Sequence, residues 1–250
     1  MTRLARLEHA HERMDAPDVA PDALEASLDD VAAVNRWLGG TRALLRRLPA
    51  LLPPAGPARI LDAGTGSGDL PRAIVRWAHR HGHTIRVTAA DRHAITARIA
   101  RERSLAYPEI TVEEADVRRL PHPDGAFDVA LLSLTLHHLE EPDQIAALRE
   151  LGRVATRGIL VGELERNWSA YLGARLLAAT VWRHNPITRH DGPVSVLRAF
   201  TPGELLELAH RAGLPTPRVY RHPFFRLVLT AGASPSGTPP PRPGPLPLHT

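Results

Sequence analysis

The stretch 60–68 constrains this chain more than any other. Ile60 and Leu61 read as the end of a buried strand, Asp62-Ala63-Gly64-Thr65-Gly66-Ser67-Gly68 as a glycine turn, and Leu70, Ile74, Trp77 and Ala78 as one apolar helix face at helical spacing. Pro71 falls in the first helical turn, where proline is tolerated. Glycines let the backbone approach a ligand closely because no Cβ stands in the way. The helix N-terminus then offers free N–H groups and the positive end of its dipole to a polar ligand.

The spacing narrows the ligand class. A dinucleotide fingerprint wants G-x-G-x-x-G. Here the pattern is G-x-G-x-G, with Asp69 where that fingerprint places glycine, and an acid, Asp62, two positions before the first glycine. A P-loop is excluded, because no Gly-Lys-Ser/Thr follows.

Three companions follow in order. Asp91 closes a strand-like run at 85–90 and lies 23 residues past Gly68, about where an acid meets a ribose in open α/β sheets. It also suits a helix cap, and the two roles can coexist. Asp116 and Val117 follow a short strand at 110–113. The apolar run 127–133 suits a central strand buried on both faces, and it leads through Ser133 into Leu134-Thr135-Leu136-His137-His138-Leu139.

This ordered set, D-x-G-x-G-x-G followed by Asp91, Asp116 and the segment after the fourth strand, resembles the class I S-adenosylmethionine (SAM) methyltransferases over 60–139. The resemblance implies an α/β, Rossmann-like fold with a seven-stranded, mostly parallel sheet, an antiparallel C-terminal strand, an N-terminal helical segment and a helical lid after strand five. It implies SAM as cofactor, held by Asp62, Gly64, Thr65, Gly66 and Gly68 at the glycine turn, Asp91 and Arg92 at the ribose, Asp116 and Val117 at the adenine, and Ser133 near the methionine end.

Organisation along the chain fits that frame. Residues 1–57 form an N-terminal helical cap, 58–233 the SAM-binding domain with a lid insertion at 168–200, and 234–250 a proline-rich tail expected to be disordered. Val31, Val34, Leu38, Leu45 and Leu48 line one helical face in the cap. Residues 1–30 hold eight acids and 31–58 four arginines without an acid, which suggests an acidic segment lying near basic helices. Ile145, Leu148, Leu151 and Ala155 mark the helix after strand four. Residues 168–182 are apolar around most of the circumference, which predicts a buried helix. A loop is predicted over 184–195, with a turn at Asp191-Gly192. Thr201, Pro202 and Glu204 start a helix with a capping box. Two closing strands, 218–220 and 224–229, meet at a tight His222-Pro223 turn.

Composition excludes much chemistry. There is no cysteine and no lysine, so thiolate, disulfide and Schiff-base mechanisms are out. Arginine supplies all 31 basic residues and the net charge is only +4, which gives little support to a nucleic-acid partner. Ser133-Leu134-Thr135-Leu136 also lacks the Asn/Asp-Pro-Pro-aromatic signature that grips a base amino group. No apolar run reaches membrane-span length, and 1–24 lacks a signal-peptide core, so a cytoplasmic protein is expected, as monomer or homodimer. No ligand-spaced metal cluster is visible.

Methyl transfer needs donor and acceptor held in line, with a base where the acceptor is a hydroxyl. Among 14 histidines, His137 is placed as the pocket-facing base and His190, beside Asp191, as an alternative. His138, Arg189, Asp191 and Trp168 are assigned to a small-molecule acceptor, Arg189 because its guanidinium can grip a carboxylate or phenolate by two bonds. The flanks, Asn35-Arg36-Trp37-Leu38-Gly39-Gly40 and Arg189-His190-Asp191-Gly192, resemble bacterial methyltransferases of aromatic or polyketide secondary metabolism, which implies O-methylation. C-methylation of a quinone precursor, as in the ubiquinone/menaquinone methyltransferases, and an inert SAM-binding protein are the alternatives.

Overall fold

The computed structural model describes residues 4–7, 10–16 and 18–232. Seven strands build one sheet: β1 (Ala58–Ala63), β2 (Ile85–Asp91), β3 (Ile110–Glu114), β4 (Phe127–Ser133), β5 (Ala155–Leu164), β6 (Arg218–His222) and β7 (Arg226–Ala231). Their order is β3-β2-β1-β4-β5-β7-β6. β1 to β5 are mutually parallel, while β7 runs antiparallel to both neighbours. Order reverses between β1 and β4, and the crevice at the carboxyl ends of strands beside such a switch is where open α/β sheets bind ligands.

The strand sequences show why. β1 and β4 are buried on both faces, and successive residues alternate between two cores. Ile60, Val129 and Leu131 face α2 (Gly40–Leu45) and α3 (Asp69–His81), packing with Leu44, Ile74 and Val75. Leu61, Ala130 and Leu132 face α5 (Glu141–Val154) and α8 (Pro202–Arg211), packing with Leu148, Leu151 and Leu205. The capping box at Thr201 and Glu204 is formed.

Several local expectations give way. The cap is not one helix: α1 (Pro21–Trp37) stops, Gly39 turns left-handed at φ 75°, and α2 begins at Gly40. The acids of α1 find a different partner, since Glu25 and Asp29 pair with Arg103 of α4 (Ala94–Arg103) at 2.7 and 2.5 Å. Ala155 opens β5 rather than ending α5. Phe224 and Phe225 belong to the turn between β6 and β7, both at positive φ.

The lid differs most. α6 (Trp168–Ala179) is not buried all round. It buries its alanine row, Ala170, Ala174 and Ala178, and leaves Trp168, Leu172 and Leu176 exposed. The predicted loop at 184–195 is helical, α7 (Pro186–Arg198). Asn185 caps it, accepting from the N–H groups of Ile187 and Thr188, and Pro186 occupies its first turn. Asp191-Gly192-Pro193 is turn chemistry in isolation. Here Gly192 lies flush against the Trp182 ring, and the Asp191 carboxylate is bound from outside the helix, so tertiary contacts override the local preference. Among the described residues no helix is long and apolar enough to cross a membrane.

Candidate active site

Two chambers open at the carboxyl edge of the sheet. The first is lined by the glycine turn, the ends of β2, β3 and β4, and α1. Asp62, Gly64, Thr65, Gly66, Asp91, Arg92, Asp116, Val117 and Ser133 all line it. Gly68 does not; it is the N-cap of α3.

Asp62 is 1% exposed at the end of β1. One carboxylate oxygen accepts from the Thr65 hydroxyl at 2.7 Å, and the other, Oδ1, has no partner. Burial, reinforced by Asp69 and Asp91, pushes its carboxyl up to about 8 against the Thr65 bond. Asp91 accepts from the Gly66 N–H at 3.1 Å and from the His93 N–H at 3.0 Å, tying the end of β2 to the glycine turn and to the entry of α4. Burial raises it too, against those two bonds. Asp116 is held in a forked pair by Arg118, whose bonds keep its carboxyl low. A ligand with an ammonium and vicinal hydroxyls fits this chamber. Its ammonium would meet the orphaned Asp62 oxygen, and a Cβ on Gly66 would stand in open space, with Leu28 its nearest neighbour at 3.6 Å.

The second chamber, about 350 Å³, lies between α1, α6 and α7 and is walled by apolar residues such as Val34, Leu38, Leu177 and Trp182. Both chambers share Glu12, Met14, Val31, Leu134, Leu164 and Ser195, so they meet. Leu134, at the end of β4, takes φ 51° there.

A polar cluster stands at the junction. A 3-10 turn, Leu136–His138, follows β4. His137 is buried, and its Nδ1–H donates to Glu163 at 2.7 Å. Glu163 also accepts from the Leu136 N–H at 2.9 Å. Burial pushes the Glu163 carboxyl up, but His137, His138 and that N–H outweigh it and the net shift is downward. The His137 Nε2 lies 3.5 Å from Glu12, which itself accepts from the Ser195 hydroxyl. The His138 ring lies tilted against that of His137, with centroids 4.5 Å apart and planes at 33°, and donates from Nδ1 to Asp15 at 2.6 Å. Burial alone would lower His138, but Glu12 and Asp15 raise it to about 9. Glu12, His137 and His138 place one ligating atom each within 4.8 Å of one another and could hold a divalent ion. Sequence spacing gave no sign of this cluster, because Glu12 arrives from the far end of the chain.

The lid assignments are corrected. Arg189 is exposed, and neither it, His190 nor Trp168 lines either chamber. His190 does donate to Asp191 at 2.7 Å, but His190 itself lines neither chamber. Asp191 lines the apolar chamber, yet its carboxylate is engaged by the N–H groups of Arg13 and Met14. It therefore fastens the N-terminal segment over the site. The sequence reading missed Glu12, Asp15, Glu163 and Arg226 as site residues. For Glu12 and Asp15 the only signal was an acidic N-terminus; for Arg226 it was a charge opening an otherwise apolar strand.

Residues 60–158 match the methyltransferase domain family. The ubiquinone/menaquinone biosynthesis C-methyltransferase of Laribacter hongkongensis is 34% identical over 114 residues, 44% of this chain and 45% of the relative, so the chain spans under half the length of the curated relatives it matches. A SAM-dependent methyltransferase from Aquifex aeolicus superposes with a TM-score of 0.60 at 19% identity, over 86% of this chain and 98% of that one. Human N-acetylserotonin methyltransferase in complex with SAM superposes at 0.58 and 17% identity, over 82% and 54%. At these identities the structural likeness is one of fold. Residues 60–158 thus match a methyltransferase domain, and the chain takes the fold of the SAM-dependent methyltransferases on which it superposes.

Proposed function

We propose that the protein transfers the methyl group of SAM to an oxygen of a small aromatic or polyketide-type acceptor seated in the apolar chamber. The observation that carries this reading is the buried His137–Glu163 pair, whose His137 lines the polar, acid-lined chamber and lies 3.5 Å from Glu12, a residue that this chamber shares with the apolar one. Bound SAM supplies an electrophilic methyl on a sulfonium. Asp62 holds the ammonium, Asp91 accepts from the ribose hydroxyls, and Asp116 faces the adenine. The apolar walls exclude water and keep the acceptor in line.

His137 acts as the base. An acceptor hydroxyl beside Nε2 gives up its proton there, and Glu163 stabilises the imidazolium through Nδ1–H. The phenolate oxygen then forms the O–CH₃ bond as the S–CH₃ bond breaks, and the sulfur leaves with the electron pair. His138, raised to about 9, already carries its proton at neutral pH and serves as a fixed positive charge.

A second reading is C-methylation of a quinone precursor, favoured by the match to ubiquinone/menaquinone C-methyltransferases. It begins from the same phenolate: the ring carbon beside the oxygen forms the C–CH₃ bond as the S–CH₃ bond breaks, and that carbon then gives up its hydrogen as a proton to solvent, which restores the aromatic ring. The test is incubation with methyl-¹³C SAM and a panel of phenols, read by carbon NMR. An O-methyl resonance supports the first reading and a C-methyl resonance the second. Binding of S-adenosylhomocysteine without turnover of any phenol would leave only a SAM-binding protein.

A further inference from the structure

Arg226 opens β7 and lines the apolar chamber, yet it is 2% exposed and none of its three guanidinium nitrogens has a hydrogen-bond partner among the described residues. A buried charge without a partner is strongly unfavourable and persists where something else compensates it. Within the protein its nearest compensation is the field of Glu163. Both Glu163 oxygens are already engaged, by the Leu136 N–H and by His137.

A second orphan lies alongside. The Oδ1 of buried Asn35, on α1, also has no partner. Asn35 and Arg226 line one recess together, with Gly40 between them. A Cβ on Gly40 would come within 2.6 Å of the Asn35 oxygen and 3.6 Å of the Arg226 Cζ, so the glycine is what leaves the two side chains room. Five guanidinium protons thus stand unused at the wall of the apolar chamber, and one unused carbonyl oxygen stands in the recess beside them, on the side of the first chamber.

We propose that Arg226 is the anchor for an anionic group of the acceptor, so that the chamber takes an aromatic hydroxy acid with its ring among the apolar walls and its carboxylate on the guanidinium. Arginine matches a carboxylate with two parallel bonds, and in a dry site such a pair discriminates strongly against a neutral analogue. This rests on the reading of the apolar chamber as the acceptor site.

The test is calorimetric titration with 1-hydroxy-2-naphthoate and with 1-naphthol, in the presence of S-adenosylhomocysteine, on the wild-type protein, R226M and R226Q. The carboxylate is expected to bind wild type at least 10-fold tighter than the naphthol, and that preference is expected to vanish in both variants, whose folding is checked by S-adenosylhomocysteine affinity. Equal binding of the two probes to wild type, or a preference that survives in either variant, overturns the proposal. The failures are separable: loss of S-adenosylhomocysteine binding in wild type would remove the methyltransferase reading, whereas a carboxylate preference without methylation of either naphthol would remove only the phenolic acceptor.

Discussion

The Nδ1 of His137 and the Oε2 of Glu163 stand 2.7 Å apart, both side chains almost fully buried. One residue follows β4 and the other sits in β5, so adjacent parallel strands deliver the two halves of the pair. Glu163 accepts from Nδ1–H and so fixes the tautomer in which Nε2 is the basic nitrogen, 3.5 Å from Glu12. His137→Gln keeps a donor for Glu163 and removes the base. Its kcat is expected to fall about 10²- to 10³-fold, with loss of the acidic limb of the pH–rate profile and unchanged S-adenosylhomocysteine affinity. An unaltered single-turnover rate would remove His137 from the mechanism.

The His138 imidazolium links stability to pH. Its folded value of about 9 lies above the unfolded 6.5, so the folded state binds the extra proton. That stabilisation is complete below pH 6.5 and is lost as pH rises through 9, about 3 kcal/mol in all. Chemical denaturation at pH 6, 7.5 and 9 is expected to show falling stability. His138→Gln is expected to flatten that slope above pH 6.5, and an identical slope in the variant would contradict the assignment.

Asp62, pushed up to about 8, is a neutral acid at pH 7 before ligand arrives. An ammonium against Oδ1 ionises it, so SAM binding is expected to release a proton and to tighten as pH rises toward 8. Titration in buffers of different ionisation enthalpy measures this directly. Asp62→Asn is expected to abolish the proton release and weaken binding by tenfold or more.

Two glycines of the turn separate fold from ligand. A Cβ on Gly64 would lie 2.8 Å from Thr135 Cγ2, at φ 65°, whereas a Cβ on Gly66 meets only Leu28 at 3.6 Å, at φ 56°. Gly64→Ala is expected to cost about 2–4 kcal/mol of stability from clash and left-handed strain together. Gly66→Ala is expected to cost about 1–2 kcal/mol and to lose S-adenosylhomocysteine binding far beyond that. Melting curves and calorimetry on the same two proteins decide it.

Asp191 fastens Arg13 and Met14 over the apolar chamber. Asp191→Ala leaves two N–H groups unpaired, for an expected loss of about 1–3 kcal/mol. Limited proteolysis is expected to cut before α1 first, and acceptor KM to rise more than SAM KM.

The sequence by itself determined the sheet and the cofactor chamber. Alternating and continuous apolar runs dictate which residues are buried, and the acid–glycine turn sets its own backbone, because these are properties of neighbours in the chain. Hence nine residues that the sequence assigns to the cofactor, from Asp62 to Ser133, come together along one chamber. The tertiary structure alone decided the acceptor side. Asp191-Gly192-Pro193 reads as a turn until Trp182 and the N-terminal segment close on it. Glu12 and His137 are 125 positions apart, and Asn35 and Arg226 farther still, so no local pattern records their meeting. Arg189, which sequence placed on the substrate, points to solvent, while Arg226 lies buried without a partner. Which arginine is buried depends on packing between distant elements, and that is where desolvation, and with it specificity, is set.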